Sequence, residues 1–326
     1  MANTNPSEES GRKEFMKQLG IVVSLGVAFC SPAVAAPLSS NARTVIPQAV
    51  QQIISVDYRE VRDAPVARAL KNQLIPDNVK RFESALRNAG IDPERDVEQI
   101  TFVSYRGPKN VVRGIGIAQG PFKQKDFLAR AKAKNIKPEK YLLSNIYPMG
   151  SGFQMVFLDP ITILFGDNAS IKGAIDVRDN GAASLASNDP MDDLMGSVEN
   201  APVWSVLDQK GTQQMMRSAL GQAGALTNFE AVKKRLLASD YEMNFTNGVT
   251  FDVAVKTSDN LTAASLSGLM KAGVLYKKMS GSSSEKLALE NTTVDSSEDL
   301  VQMHFKTDDQ RFQALMKSDL FAAVSR

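Results

Sequence analysis

Val97-Glu98-Gln99-Ile100-Thr101-Phe102-Val103-Ser104-Tyr105 and Val111-Val112-Arg113-Gly114-Ile115-Gly116-Ile117-Ala118, separated by a short break, decide the fold class. Apolar and polar residues alternate in both, the period of strands in a sheet with one wet face. The break makes them a hairpin. Just upstream, 78–89 places Val79, Phe82, Leu86 and Ala89 on one helical stripe, and Gly90 suits the left-handed position that ends a helix. Downstream, 123–134 is expected to be a third helix, followed by strands over 141–147, 153–158 and 161–165 and a helix over 169–177. Upstream again, a strand over 53–61 leads into a helix over 66–73.

The same order recurs further along. A strand over 203–207 runs into a helix over 212–220, and 228–238 carries Phe229, Val232, Leu236 and Leu237 at helical spacing. A hairpin follows at 241–245 with 249–256, then a helix over 261–279, strands over 287–294 and 300–306, and a helix over 309–324. The stretch 179–190, rich in Asn, Gly, Ala and Ser, separates the two sets. The expected architecture is α+β with two similar halves, an internal duplication, each half a mostly antiparallel sheet with helices on one face. Helices between hairpins also allow all strands to join one continuous sheet. The expected division is a signal over 1–35, a first half over 36–180, a linker over 181–200 and a second half over 201–326.

The N-terminus reads as an export signal. Polar residues lead to Arg12-Lys13-Glu14-Phe15-Met16-Lys17, after which 19–29 is apolar apart from Ser24 and two glycines. Pro32 breaks the run, and Ala33-Val34-Ala35 supplies small residues for cleavage after Ala35. The apolar run is shorter than the roughly 18 residues needed to span a bilayer. Phe29 is too large a neighbour for Cys30 to be a lipidation site. The string through Arg12, Lys13, Phe15 and Lys17 resembles the twin-arginine export signal, with Lys13 in place of the second arginine. That departure leaves the general route for unfolded chains open. The expectation is a periplasmic or secreted protein, soluble once cleaved.

Removing 35 of 326 residues leaves 326 − 35 = 291, with no cysteine, since Cys30 is the only one. Disulfides, thiolate metal sites and cysteine nucleophiles are thereby excluded from the exported part. The only histidine, His304, lies in Leu300-Val301-Gln302-Met303-His304-Phe305, a strand pattern, and reads as a cross-strand packing residue. No cofactor or metal is expected. The formal net charge of +2 gives no reason to expect nucleic acid.

Gly90-Ile91-Asp92-Pro93-Glu94-Arg95-Asp96-Val97 followed by an alternating strand is similar to a segment of uncharacterised exported bacterial proteins of duplicated α+β build. The resemblance implies a fold and a compartment and carries no activity with it. Turn formation by Asp92-Pro93 accounts for the segment by itself.

Fragments of catalytic signatures fail on context. Ser283-Ser284-Glu285-Lys286, Ser258-Asp259-Asn260 and Lys256-Thr257 resemble the three motifs of penicillin-binding enzymes, in reversed order. Gly114-x-Gly116-x-x-x-Gly120 is too long for a dinucleotide fingerprint and lies along a strand, where glycine permits close packing. The Asn-x-Ser/Thr triplets at Asn168, Asn244, Asn260 and Asn291 are explained by capping and turns. Asp192-Asp193 and Asp308-Asp309 could serve as acid and base, yet both stand where a helix begins and its dipole favours acids. No catalytic residue is assigned.

Charge is segregated along the first half. From 106 to 140 ten basic residues face two acidic ones, 10 − 2 = +8; from 159 to 199 two basic residues face eight acidic ones, 2 − 8 = −6. Lys123, Lys125, Arg130, Lys132 and Lys134 form a candidate anion-binding patch, with a solvated helix as the bland alternative. The expected function is a non-enzymatic exported binding or envelope-associated module whose partner is an anionic envelope component or membrane surface. A carboxylate-dependent hydrolase with a cleft between the halves is the rival expectation. Aromatic residues are not interleaved with the lysines, which argues against nucleic acid.

Overall fold

Ser39 caps the first helix: its hydroxyl accepts from the Ala42 amide at the head of α1 (Ser40–Thr44) in the computed structural model. The structure describes residues 37–63, 77–108, 111–150, 152–226 and 229–316. The expected signal, its cleavage point Ala35, the export motif and the helix expected over 66–73 lie outside them. From 35 onward the chain is one compact unit.

β1 (Val50–Asp57) stops where the Asp57 carboxylate accepts from the Arg59 and Glu60 amides and opens α2 (Tyr58–Asp63). α3 (Asp77–Ala89) ends at Gly90, whose φ of +80° is the left-handed stop its sequence predicts. Asp92 caps α4 (Pro93–Asp96), and the hairpin β2 (Gln99–Arg106) and β3 (Val112–Gln119) follows. Next come α5 (Gln124–Ala133), β4 (Glu139–Tyr141), β5 (Ser144–Gly150), β6 (Phe153–Asp159) and β7 (Thr162–Gly166). Asp167 caps α6 (Asn168–Asp179), and α7 (Asp189–Val198) leads to β8 (Val203–Leu207) and α8 (Gln209–Leu226). α9 (Phe229–Lys233), β9 (Leu236–Asn244) and β10 (Val249–Thr257) precede the long α10 (Asn260–Ser280), capped by Asp259. Ser282 and Glu285 form a capping box on α11 (Ser283–Ala288), before β11 (Thr292–Ser297), β12 (Leu300–Thr307) and α12 (Asp309–Met316).

The strands join one continuous sheet in the order β11-β12-β10-β9-β8-β1-β2-β3-β7-β6-β5-β4, every neighbouring pair antiparallel. β1 and β8 meet in the middle, with Ile53 opposite Val206. Outward from that seam each half sets down its strands in the same order, β1-β2-β3-β7-β6 on one side and β8-β9-β10-β12-β11 on the other. Only the first half adds β5 and β4 beyond. The fold is therefore α+β with two similar halves sharing one sheet.

Register identifies two faces. Ile54, Phe102, Tyr241, Val253 and Met303 point to one, and Val56, Ile100, Ala118, Ile163 and Phe165 lie there too. On this face Leu86 of α3 and Phe127 and Ala131 of α5 cover the first half. Met216 and Leu220 of α8 and Ala263, Leu266 and Met270 of α10 cover the second. The opposite face carries Ile53, Val103, Tyr105, Ile115, Ile117, Leu164, Trp204 and Val206 under α6 and α7.

Helices thus lie on both faces of the sheet in each half and not on one, with α6 over the first half and α7 over β8 and β9 of the second. The physical reason is that β2, β3 and β7 are apolar on both sides, and each side needs a cover. The linker expected over 181–200 is a further correction, because it holds α7, a core element. Met191, Leu194, Met195 and Val198 stand at helical spacing and are buried against β8 and β9. The helix expected over 228–238 ends at Lys233, and Leu236 and Leu237 begin β9 instead. Likewise 287–294 is not one strand: the last turn of α11 precedes β11.

Candidate functional site

α5 is anchored by two residues one turn apart. Phe127 packs edge-on against Tyr147 at 5.2 Å and near Phe157 at 5.4 Å, and Ala131 fills the next turn. That orientation turns Lys123, Lys125, Arg130, Lys132 and Lys134 outward, and all five are exposed. They do not form one uniform patch. Arg130 Nη1 donates to the Gly90 carbonyl at 2.6 Å, and Lys134 Nζ donates to the Asn88 carbonyl at 3.3 Å. Both cations thereby satisfy the C-terminal carbonyls of α3, where the helix dipole favours positive charge. Lys123 stands near Asp96, whose carboxyl is held below its ordinary range chiefly by Arg95, with Lys123 a lesser contributor. Lys125 and Lys132, two turns apart on the outer face, have no protein partner among the described residues, and none of the five is in an ion pair there.

This division predicts a contrast. Arg130→Met should cost about 1 kcal/mol in urea unfolding, through the lost carbonyl bond. Lys125→Gln and Lys132→Gln should stay within about 0.5 kcal/mol, as surface changes do. Equal losses from all three would contradict the geometry.

The acidic stretch lies on the opposite face, on α6 and α7, and most of its carboxylates have structural duties. Asp167 caps α6, accepting from the Ser170 amide at 2.8 Å, and Asp176 accepts from the Tyr141 hydroxyl at 2.8 Å. Arg178 pairs with Asp179 at 2.6 Å, and Lys172 pairs with Glu139. Arg43, on α1, clamps α7 by reaching Asp192 at 2.9 Å and Glu199 at 2.5 Å while its Nε donates to the Leu38 carbonyl. Asp192 thus holds an arginine, while Asp193 is exposed just past the first turn of α7. Asp308 caps α12 through the Arg311 amide at 2.9 Å. Neither acidic pair is set up as a catalytic couple.

A polar row that spacing alone could not reveal crosses the second half on the α6–α7 side. In register across the sheet stand Val206, Asp240 and Ala254, and beside them Trp204, Glu242, Asp252 and His304. Asp240 is only 6% exposed and makes no hydrogen bond or ion pair among the described residues. Desolvation, helped by Glu242, pushes its carboxyl up to about 7. Burial and Asp252 raise Glu242 as well. Asp252 is bonded to His304 Nδ1 at 2.5 Å, both half-exposed. His304 is thus a cross-strand partner of Asp252, on a part of the sheet open to water. The Trp204 Nε1 donor is buried without a partner. The sequence signal for the row was the i, i+2 spacing of Asp240 and Glu242, legible only once the strand and its buried face are known.

The motif fragments resolve into local structure. Ser282, one residue before the Ser-x-x-Lys string, is the cap of α11, and Lys286 is exposed. Asp259 accepts from the Ser258 hydroxyl and then from the Thr262 amide and hydroxyl, which brings its carboxyl down to about 2. At Gly116 a β-carbon would lie 1.9 Å from the Phe165 ring, and at Gly120 one would lie 2.1 Å from the Asp96 carbonyl. Close packing accounts for these two glycines. Asn168 bonds Glu139 and Gln154, and Asn244 accepts from the Thr246 amide. Among the described residues no group of three or more His, Cys, Asp or Glu is placed to hold a metal ion, and no helix is long and apolar enough to cross a membrane.

An open, wholly antiparallel sheet built from two like halves, with basic and acidic helices on opposite faces, defines the class to which this chain belongs. No protein-family model matches the sequence, and a search of curated proteins finds no relative. Among solved structures, crystal form I of TP0453 is similar at 8% identity with a TM-score of 0.47, over 87% of this chain and 97% of that one. Crystal form III of TP0453 has a TM-score of 0.45 at 8% identity, over 87% and 98%. At that level of likeness nothing about ligand, partner or activity passes from one chain to the other.

Proposed function

We propose that this chain is an exported, non-enzymatic binding or envelope-associated protein that meets an anionic envelope component or membrane surface through the outer ridge of α5. The observation that carries the reading is the separation of charge across the sheet. Lysines without ion-pair partners stand on the α5 side, while the acids of α6 and α7 stand on the other and are mostly spent on caps and clamps. A free cationic ridge that outweighs the one acid of its helix, Asp126, is steered towards a negative surface. The signal-like 12–35, with cleavage after Ala35, supplies the route out of the cytoplasm in this reading. The matching strand order of the halves fits an internal duplication.

Binding of residues 36–326 to phosphatidylglycerol-containing vesicles, or to an anionic cell-envelope polymer, should fall steeply with added salt. Lys125→Gln/Lys132→Gln should weaken it at least severalfold with melting unchanged. Binding that ignores both salt and the substitutions would refute the α5 contact.

One observation favours a second reading. Asp240, poised near neutrality beside Glu242 close to the seam of the halves, is the arrangement from which an acid and a base are made. Hydrolysis of glycoside or ester substrates that vanishes in both Asp240→Asn and Glu242→Gln, without loss of fold, would establish it.

A further inference from the structure

We infer that the outer face of α10 is a contact surface for an anionic lipid bilayer, lying in the headgroup layer with its apolar residues turned towards the acyl chains. The inference rests on the proposed envelope association and names its partner. α10 spans 21 residues, and its inner side is used up by Ala263, Leu266 and Met270, which pack on β10, β11 and β12. Its outer side is nevertheless apolar. Leu261, Ala264, Gly268, Ala272, Leu275 and Met279 recur three or four residues apart within an arc of about 80°. Leu261 is 70% exposed, Leu275 59% and Met279 72%. A helix apolar on both sides is ordinarily buried on both. This one has its second side in the open.

Charge tells which cover suits it. α10 and α11 hold Lys271, Lys277, Lys278 and Lys286 against Glu285 and against Asp295, which pairs with Lys271 at 3.7 Å, a balance of 4 − 2 = +2. Lys271, paired with Asp295, and Lys278, which donates to the Glu290 carbonyl, flank the apolar stripe along one side, and α11, packed against α10, exposes Leu287. Apolar residues flanked by lysines match a surface that is greasy below and negative above. Area disfavours a second copy of the chain. A helix of this length presents a strip about 30 Å long and 10 Å wide, well short of the roughly 800 Å² per partner of a stable dimer.

The test uses residues 35–326, the compact unit, with vesicles of phosphatidylcholine alone or mixed with phosphatidylglycerol. The parent should partition onto the mixed vesicles and retain part of that binding in high salt, because the apolar contribution is unscreened. Leu275→Asp/Met279→Asp should reduce partition at least tenfold and leave the melting temperature unchanged, since neither side chain is packed. Undiminished binding by this variant would overturn the inference, as would a parent dimer in solution that the two aspartates convert to monomer. Lys125→Gln/Lys132→Gln separates the two claims. Loss there with retention in the aspartate variant removes α10 and keeps α5; the opposite result removes α5 and keeps α10.

Discussion

Asp240→Asn is expected to raise the melting temperature on the order of 5–10 °C at pH 8, with the gain shrinking as the pH falls towards 4. The sign follows from proton linkage. Asp240 titrates near 7 in the folded chain against an ordinary value of 3.8, so folding favours its neutral form. Its neutral form is fully compatible with the fold below about 4. Stability is lost progressively as pH rises through 7, up to about 4 kcal/mol for a shift of this size. No cation among the described residues pairs with Asp240, and Arg43 at α7 is taken by Asp192 and Glu199. Asparagine keeps the shape and removes the ionisation. Melting curves of parent and variant across pH 4 to 9 decide the matter, and a difference that does not vary with pH would show that Asp240 is already neutralised. The same variant distinguishes a structural from a hydrolytic role.

Trp204→Ala should cost about 3–5 kcal/mol, and Trp204→Phe much less, about 1–2 kcal/mol. Trp204 is the only tryptophan and is fully buried at the seam, between Ser55 of β1 and Glu242 of β9. Its Nε1 has no partner, so phenylalanine forfeits volume without breaking a hydrogen bond. Because β1 and β8 belong to different halves, damage at this point weakens both. Tryptophan fluorescence and far-ultraviolet circular dichroism should report one coincident urea transition. Two separated transitions would show that the halves fold independently.

Local chemistry was the legible part of the fold. Gly90 as a helix stop, the 97–118 hairpin and the helix over 261–279 depend on nearby residues, and α+β class follows from their order. What depends on distant partners was not legible. Asn228 to Ala238 reads as helical because Phe229, Val232 and Leu236 share a stripe, yet Leu236 and Ala238 are recruited as strand residues by pairing with β10. The stretch after Asp179 has a linker's composition up to Pro190, but Met191, Leu194, Met195 and Val198 find a cover on β8 and β9 that no local pattern announces. At the candidate site the basic run was visible and its subdivision was not. Arg130 and Lys134 are claimed by carbonyls 40 and 46 residues away. Asp240 falls between the expected helix and the expected strand, and only pairing with Val206 and Ala254 encloses it.

The seam between β1 and β8 also bears on biogenesis. Ile53 must wait for Val206, about 150 residues later in the chain, before its strand is paired on both sides. A polypeptide threaded outward from its N-terminus would, until then, display the Val50–Asp57 backbone as a naked template for cross-pairing between nascent molecules. Late closure of this kind slows folding and creates demand for a holdase. Passage in an already folded condition would spare the chain that hazard.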